Sequence, residues 1–195
     1  FAVGTTPALV SAIFGTWLQW VVMLAPLGVV FMFGAKIHSM SVATAQLVFW
    51  VFAALIGLSI SYIFVIYTGI SIAQTFFTTA IAFAALSLYG YTTKRDLTAM
   101  GSFLFIGLVG IIVASIANWF LQSPVMHLAI SAIGVLIFAG LTAYDTQNIK
   151  NTYIQFRSAY GEEYAEKMGV MGALSLYLNF LNMFMFLLQF MGNRD

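Results

Sequence analysis

One carboxylate in this sequence stands where charge is costly. Asp145 lies near the end of residues 131–150, an apolar stretch long enough to cross a membrane, whereas the other acidic residues fall in plainly polar segments. An ionisable group in such a stretch must face a bundle interior or water, which makes Asp145 a candidate ion or proton site. It precedes Lys150 by five residues, about 7.5 Å along a helix axis, so it is a shallow site near an interface. Thr142 shares its face and is placed to hydrogen-bond it. A second polar set recurs near the C-terminus, where Gly172, Ser175, Asn179 and Asn182 follow 3-4-3 spacing and so lie along one helical face. Small and amide side chains on one stripe either bond neighbouring helices or line a polar path. Lys36, alone at the end of an apolar run, reads as a topology determinant with a snorkelling side chain. His38 and His127 belong to turns on opposite sides of the membrane and cannot share a metal; each reads as interfacial.

Several chemistries are excluded or unsupported. The chain has no Cys, which rules out a disulfide framework, an iron–sulfur cluster and a thiolate nucleophile. There is no basic cluster of the kind nucleic acid requires. No nucleophile–base pair, metal-ligand cluster or phosphate-binding glycine loop is present, so no enzyme and no cofactor is expected. Neither an internal repeat nor a pair of interrupted helices points to a secondary transporter.

The elements that must position these residues are membrane helices. The 195 residues are 62% hydrophobic and 7% charged, against about 25% charged in soluble domains. No Asp, Glu, Lys or Arg occurs between Lys36 and Lys94, or between Asp96 and Asp145; each gap holds two spans of about 20 residues and a turn. The runs do not alternate as barrel strands do. The fold class is all-α and polytopic, with six spans predicted at 17–35, 45–67, 70–91, 100–121, 125–148 and 169–191. Trp17 and Trp20 suit a membrane interface, and Pro26 should kink the first span. Gly101, Gly107, Gly110 and Ala114 should let neighbouring backbones approach. Pro124 opens the fifth span, where its missing donor is harmless. Residues 1–16, with Gly4, Thr5, Thr6 and Pro7, read as the tail of a preceding helix plus a loop. Residues 149–168 read as a polar loop, with a helical turn in which Glu163 and Lys167 pair at i,i+4. Loops 35–44, 92–99 and 149–168 share one side and hold six of the seven Lys and Arg residues, Arg194 being the exception. By the positive-inside rule these loops should be cytoplasmic, with Phe1 and Asp195 both outside.

Three blocks resemble the Bax inhibitor-1 (transmembrane BAX inhibitor motif) family: Ser87-Leu88-Tyr89-Gly90-Tyr91-Thr92-Thr93-Lys94-Arg95-Asp96-Leu97, Gly140-Leu141-Thr142-Ala143-Tyr144-Asp145-Thr146-Gln147 and Met171-Gly172-Ala173-Leu174-Ser175-Leu176-Tyr177-Leu178. They fall in the family's order, and the resemblance runs from about residue 17 to the C-terminus. It implies a further helix before Phe1, making seven spans in the full-length protein, with the last helix packed centrally. It also implies that Asp145 meets the last helix in a proton-sensitive latch over a calcium-permeable path, with Lys36 as a basic partner. In many relatives the residue after Ser-Leu-Tyr-Leu is a second Asp; here it is Asn179. Two close carboxylates cannot both ionise cheaply, and an Asp–Asn pair has no such coupling. Cation permeation is therefore expected to depend less on pH here than in two-Asp relatives.

Two functions compete at this stage. One is a passive cation leak gated near Asp145, with Asn179, Asn182 and Thr142 on the pathway and Asp145 making a transient Ca²⁺ contact. Calcium prefers 6–8 oxygens, so coordination would be weak and completed by water. The other is an accessory subunit that binds other membrane proteins, such as a membrane protease complex, a role associated with some bacterial relatives. Either would sit in a lipid bilayer, with a bacterial inner membrane as the expected home.

Overall fold

The computed structural model describes residues 6–193. The expectations for residues 1–5, among them Gly4 and Thr5, and for Arg194 and Asp195 lie outside the described residues. The described residues are mostly helical, with the elements α1 Pro7–Phe14, α2 Leu18–Lys36, α3 Val42–Ser59, α4 Ile63–Ile66, α5 Gly69–Thr92, α6 Thr98–Leu121, α7 Pro124–Tyr160 and α8 Glu162–Met191. No β-strand occurs among the described residues. Among the described residues six helical segments are long and apolar enough to span a membrane, α3 and α4 counting as one. Their outer faces expose large apolar side chains, including Trp50, Trp119, Phe120 and Val125, as lipid rather than water requires.

The last two helices form the centre. α8 contacts α3, α5 and α7, while α7 contacts α5, α6 and α8. Small residues bring them together. At Gly90 a Cβ would run into the backbone of Ala143, and at Gly172 it would come within 2.6 Å of Ile149. On α6, Gly101 seats the Tyr144 ring and Gly107 faces Ile137, but Gly110 has open space around it. Pro26 is buried inside α2, and Pro124 stands at the start of α7, where Ser123 accepts a hydrogen bond from the Met126 amide.

Three segments differ from the sequence expectation. Residues 7–14, expected within the tail of a preceding helix plus a loop, are a short helix of their own that starts at Pro7. Its eight residues extend about 12 Å, too short to span. The second predicted span, 45–67, breaks between α3 and α4. There Ser59 Oγ donates to the Leu55 and Val22 carbonyls and Ser61 Oγ to Leu58, hydroxyl bonds that compete with the helical ladder.

The largest difference is 149–168, which is helix rather than loop. α7 has 37 residues and α8 has 30, about 56 Å and 45 Å long against a hydrocarbon core of about 30 Å. Both helices therefore run out past the membrane and meet at Gly161, whose φ of +86° reverses the chain. Aromatic packing holds this hairpin tip, with Phe156 and Tyr160 against Tyr164 at ring separations of 5.3 and 5.1 Å. Ion pairs Arg157–Glu162 (3.3 Å) and Glu163–Lys167 (3.0 Å) flank it. The second of these is the pairing expected from the sequence. Lys36, Lys94, Arg95, Lys150, Arg157 and Lys167 gather at this same basic end of the bundle, tied by contacts from His38 to Tyr164 and from Lys150 to Tyr91.

Candidate functional site

Asp145 projects from α7 toward α8, half-buried, and its Oδ2 accepts a 2.8 Å hydrogen bond from Nδ2 of Asn179. Asn179 is 6% exposed, so the contact is shielded on the α8 side. The two residues the sequence singled out most strongly are thus brought together by the closest helix pair in the molecule.

Asp145 and Ser175 line two separate hollows. One is a cavity of about 1220 Å³ between α2, α6, α7 and α8, where Ser102, Ser115, Asn179 and Asn182 supply polar groups among apolar walls. The other, about 200 Å³, lies toward the basic end between α7 and α8 and is walled by Asn148, Thr152 and Tyr153 as well. The carboxylate therefore sits where a small polar hollow meets a larger, mostly apolar cleft, and its amide partner borders the cleft. Among the described residues no group of three or more His, Cys, Asp or Glu side chains could hold a metal. The oxygens near Asp145 come from one carboxylate, one amide and a serine, fewer than the roughly 6–8 that a bound calcium takes.

The other predicted participants divide. Asn182 borders the larger cavity, with its amide bonded to the Leu178 carbonyl of its own helix (2.8 Å) and not to a neighbour. Thr142 does not bond Asp145. It is fully buried and donates to the Phe138 carbonyl (2.7 Å), one turn back on α7, because a threonine in a helix reaches its own i−4 carbonyl more readily than a side chain beyond it. Lys36 is exposed at the end of α2, and no ion pair joins it to a carboxylate among the described residues. It is not a partner of Asp145 in this conformation. His38 stacks on Tyr164 and its Nδ1 lies 3.3 Å from the tyrosine hydroxyl.

Gln147 was missed by the sequence reading. Two residues beyond Asp145 and on another face of α7, it accepts from the Leu97 amide (2.9 Å) and donates to the Arg95 carbonyl (2.8 Å). Lys150 adds a 2.6 Å bond to the Tyr91 carbonyl and lies over the Tyr91 ring. Together they clamp the α5–α6 turn to the helix that carries Asp145. In that turn Asp96 accepts from the Thr98 hydroxyl and amide, which hold its carboxyl below the usual carboxylate range. A polar residue at the end of an apolar span, facing away from the expected site, was the available signal.

The whole chain, residues 1–195, matches the family model described as Inhibitor of apoptosis-promoting Bax1. This chain belongs to the Bax inhibitor-1 family. Among its Bax inhibitor-1 relatives, a protein of Rickettsia prowazekii is 48% identical over 181 residues, covering 93% of this chain and 75% of the relative. The inner membrane protein YbhL of Escherichia coli is 45% identical over 172 residues, covering 88% and 73%. A membrane protein of Streptococcus pyogenes is 41% identical over 148 residues, covering 76% and 63%. As a Bax inhibitor-1 protein the chain is an integral, all-α polytopic membrane protein, as its sequence led us to expect.

Proposed function

We propose that this protein lets cations, calcium foremost, pass the membrane passively along the α7–α8 face, with the Asp145–Asn179 contact as the gate. The observation that carries this reading is that Asp145 walls both the basic-end vestibule and the larger cavity. A cation moving from one to the other must pass the carboxylate, and the Asn179 amide competes with it for the same oxygen. The basic end faces the cytoplasm in this reading, since six of the seven Lys and Arg residues lie there. An Escherichia coli relative carries the name inner membrane protein, in keeping with a bacterial inner membrane.

The deciding experiment is calcium flux into vesicles containing the full-length protein beside Asp145→Ala. Flux above empty vesicles that changes several-fold in the variant is the expected result. Folded, inserted protein without flux would overturn the reading and favour an accessory subunit of a membrane complex.

A further inference from the structure

Asp145 is a half-buried carboxylate without a cation. Its Oδ2 accepts from the Asn179 amide, and its Oδ1 accepts no hydrogen bond among the described residues. The two ion pairs among those residues, Arg157–Glu162 and Glu163–Lys167, lie at the hairpin tip. Lys150, five residues further along α7, is turned to the Tyr91 carbonyl and ring. An amide dipole offsets only part of the cost of holding a charge away from water, so the site is short of one positive charge.

The space beside this carboxylate is apolar. Phe105, Ile111, Phe138, Leu141, Tyr144 and Phe186 wall the cleft of about 1220 Å³, and Asp145 is the only charged residue that lines it. Small-molecule sites commonly measure about 300–1,000 Å³ and combine apolar walls with a few polar groups, so the cleft has room for a sizeable organic ligand. Calcium would need about 6–8 oxygens, more than these walls supply. A cation whose charge is carried by a carbon body needs no such shell, and aromatic faces attract it.

The cleft also has a way in. α2 packs on α3 and α6 packs on α7, while the cleft lies between α2 and α6, with Leu27 on one side and Ile106 and Ile116 on the other. These three side chains are exposed, and on membrane helices exposed apolar faces meet lipid. The mouth therefore opens sideways to the bilayer, the phase in which an amphiphilic cation concentrates.

We infer that the cleft between α2 and α6 binds a lipophilic cation, an apolar body bearing one positive charge, which enters from the bilayer and pairs with Asp145. The uncompensated carboxylate selects the sign of the charge, and the aromatic walls select the body that carries it. A neutral acyl chain would fill the walls and leave the carboxylate unpaired; an organic anion would be repelled. The site shares Asp145 with the proposed gate but rests on the cleft, not on ion passage.

The test uses two ions of nearly the same shape and opposite charge, tetraphenylphosphonium and tetraphenylborate. Each is dialysed separately to equilibrium against purified full-length protein in a neutral detergent. The expected result is saturable binding of the phosphonium, with the borate held on the order of tenfold more weakly. Asp145→Asn, which keeps the side-chain size, should weaken the phosphonium on the order of tenfold and close the gap between the two ions. Ser102→Trp keeps the carboxylate and fills the cleft from beside Gly101, the residue that seats the Tyr144 ring. It too should weaken the phosphonium, and it serves if Asp145→Asn does not fold. Equal binding of the two ions would mean that the cleft takes any apolar body, and would overturn the inference. So would phosphonium affinity unchanged in a folded variant, or no binding to folded native protein because lipid or another segment fills the cleft. Calcium flux through the native protein in vesicles separates this from the proposed function. Charge-selective binding without flux removes cation passage alone, and flux without charge-selective binding removes this inference alone.

Discussion

The bond from Asn179 to Asp145 is made by an amide, which donates to the carboxylate but has no proton to exchange near neutral pH. A cation approaching Asp145 therefore competes with a fixed dipole. Replacing Asn179 by Asp would put two carboxylates within hydrogen-bond distance, and such a pair holds one proton between them until the pH rises. We predict that calcium flux through Asn179→Asp varies several-fold more between about pH 5 and pH 8 than flux through the native protein. Parallel flux–pH curves for the two proteins would refute this. Gln147 gives a second prediction at this scale. Gln147→Leu strands the buried Leu97 amide and the Arg95 carbonyl, which should cost about 1–3 kcal/mol of stability, read as a lowered unfolding midpoint in detergent. An unchanged midpoint would mean that water or a shifted turn replaces both bonds. Asp145 and Asn179 were legible in the sequence because polar residues in apolar helices are conspicuous. The partner of Thr142 was not, since spacing places a side chain on a face without saying which acceptor it reaches first.

Helices here are held by shape more than by polar bonds, and the glycines make that testable. At Gly90 an added methyl meets the rigid backbone of Ala143, whereas at Gly110 nothing lies within 4 Å. Gly90→Ala should therefore destabilise by about 1–3 kcal/mol, and Gly110→Ala should stay within about 0.5 kcal/mol of the native protein. Equal unfolding midpoints for the two variants would show that α5 does not depend on this approach to α7. The six spans were readable from the charge-free gaps, and the ends of α5 and α6 fall within two residues of expectation. The stretch 149–168 was misread because its polar composition says water, and water is compatible with either loop or helix. Its helical state comes from Phe156, Tyr160 and Tyr164 packing across the tip, a tertiary effect. Gly110 was read as a close-packing site with Gly101 and Gly107, yet it faces open space, since the face of α6 that meets α7 cannot be chosen from glycine content alone.

For the whole molecule, the gathering of cations at one end predicts its sidedness. In intact cells of a bacterial host, a thiol at the exposed tip, Ser158→Cys, should be shielded from an impermeant reagent, while Gln122→Cys at the far end should react. The opposite pattern would invert the topology proposed above. The tip also has a mechanical meaning. Gly161 is the one residue between α7 and α8, and the tip around it is held by aromatic contacts, so if the helices part they do so like the legs of a compass pivoting there. Along the legs Asp145 lies about 24 Å from the pivot and Phe186 about 38 Å. Spreading by roughly 5° would separate the helices by about 2 Å at the first and about 3 Å at the second. The amide–carboxylate contact near the pivot and the stacking of Phe186 on Phe138 farther out would then loosen in one stroke, the distant one by more.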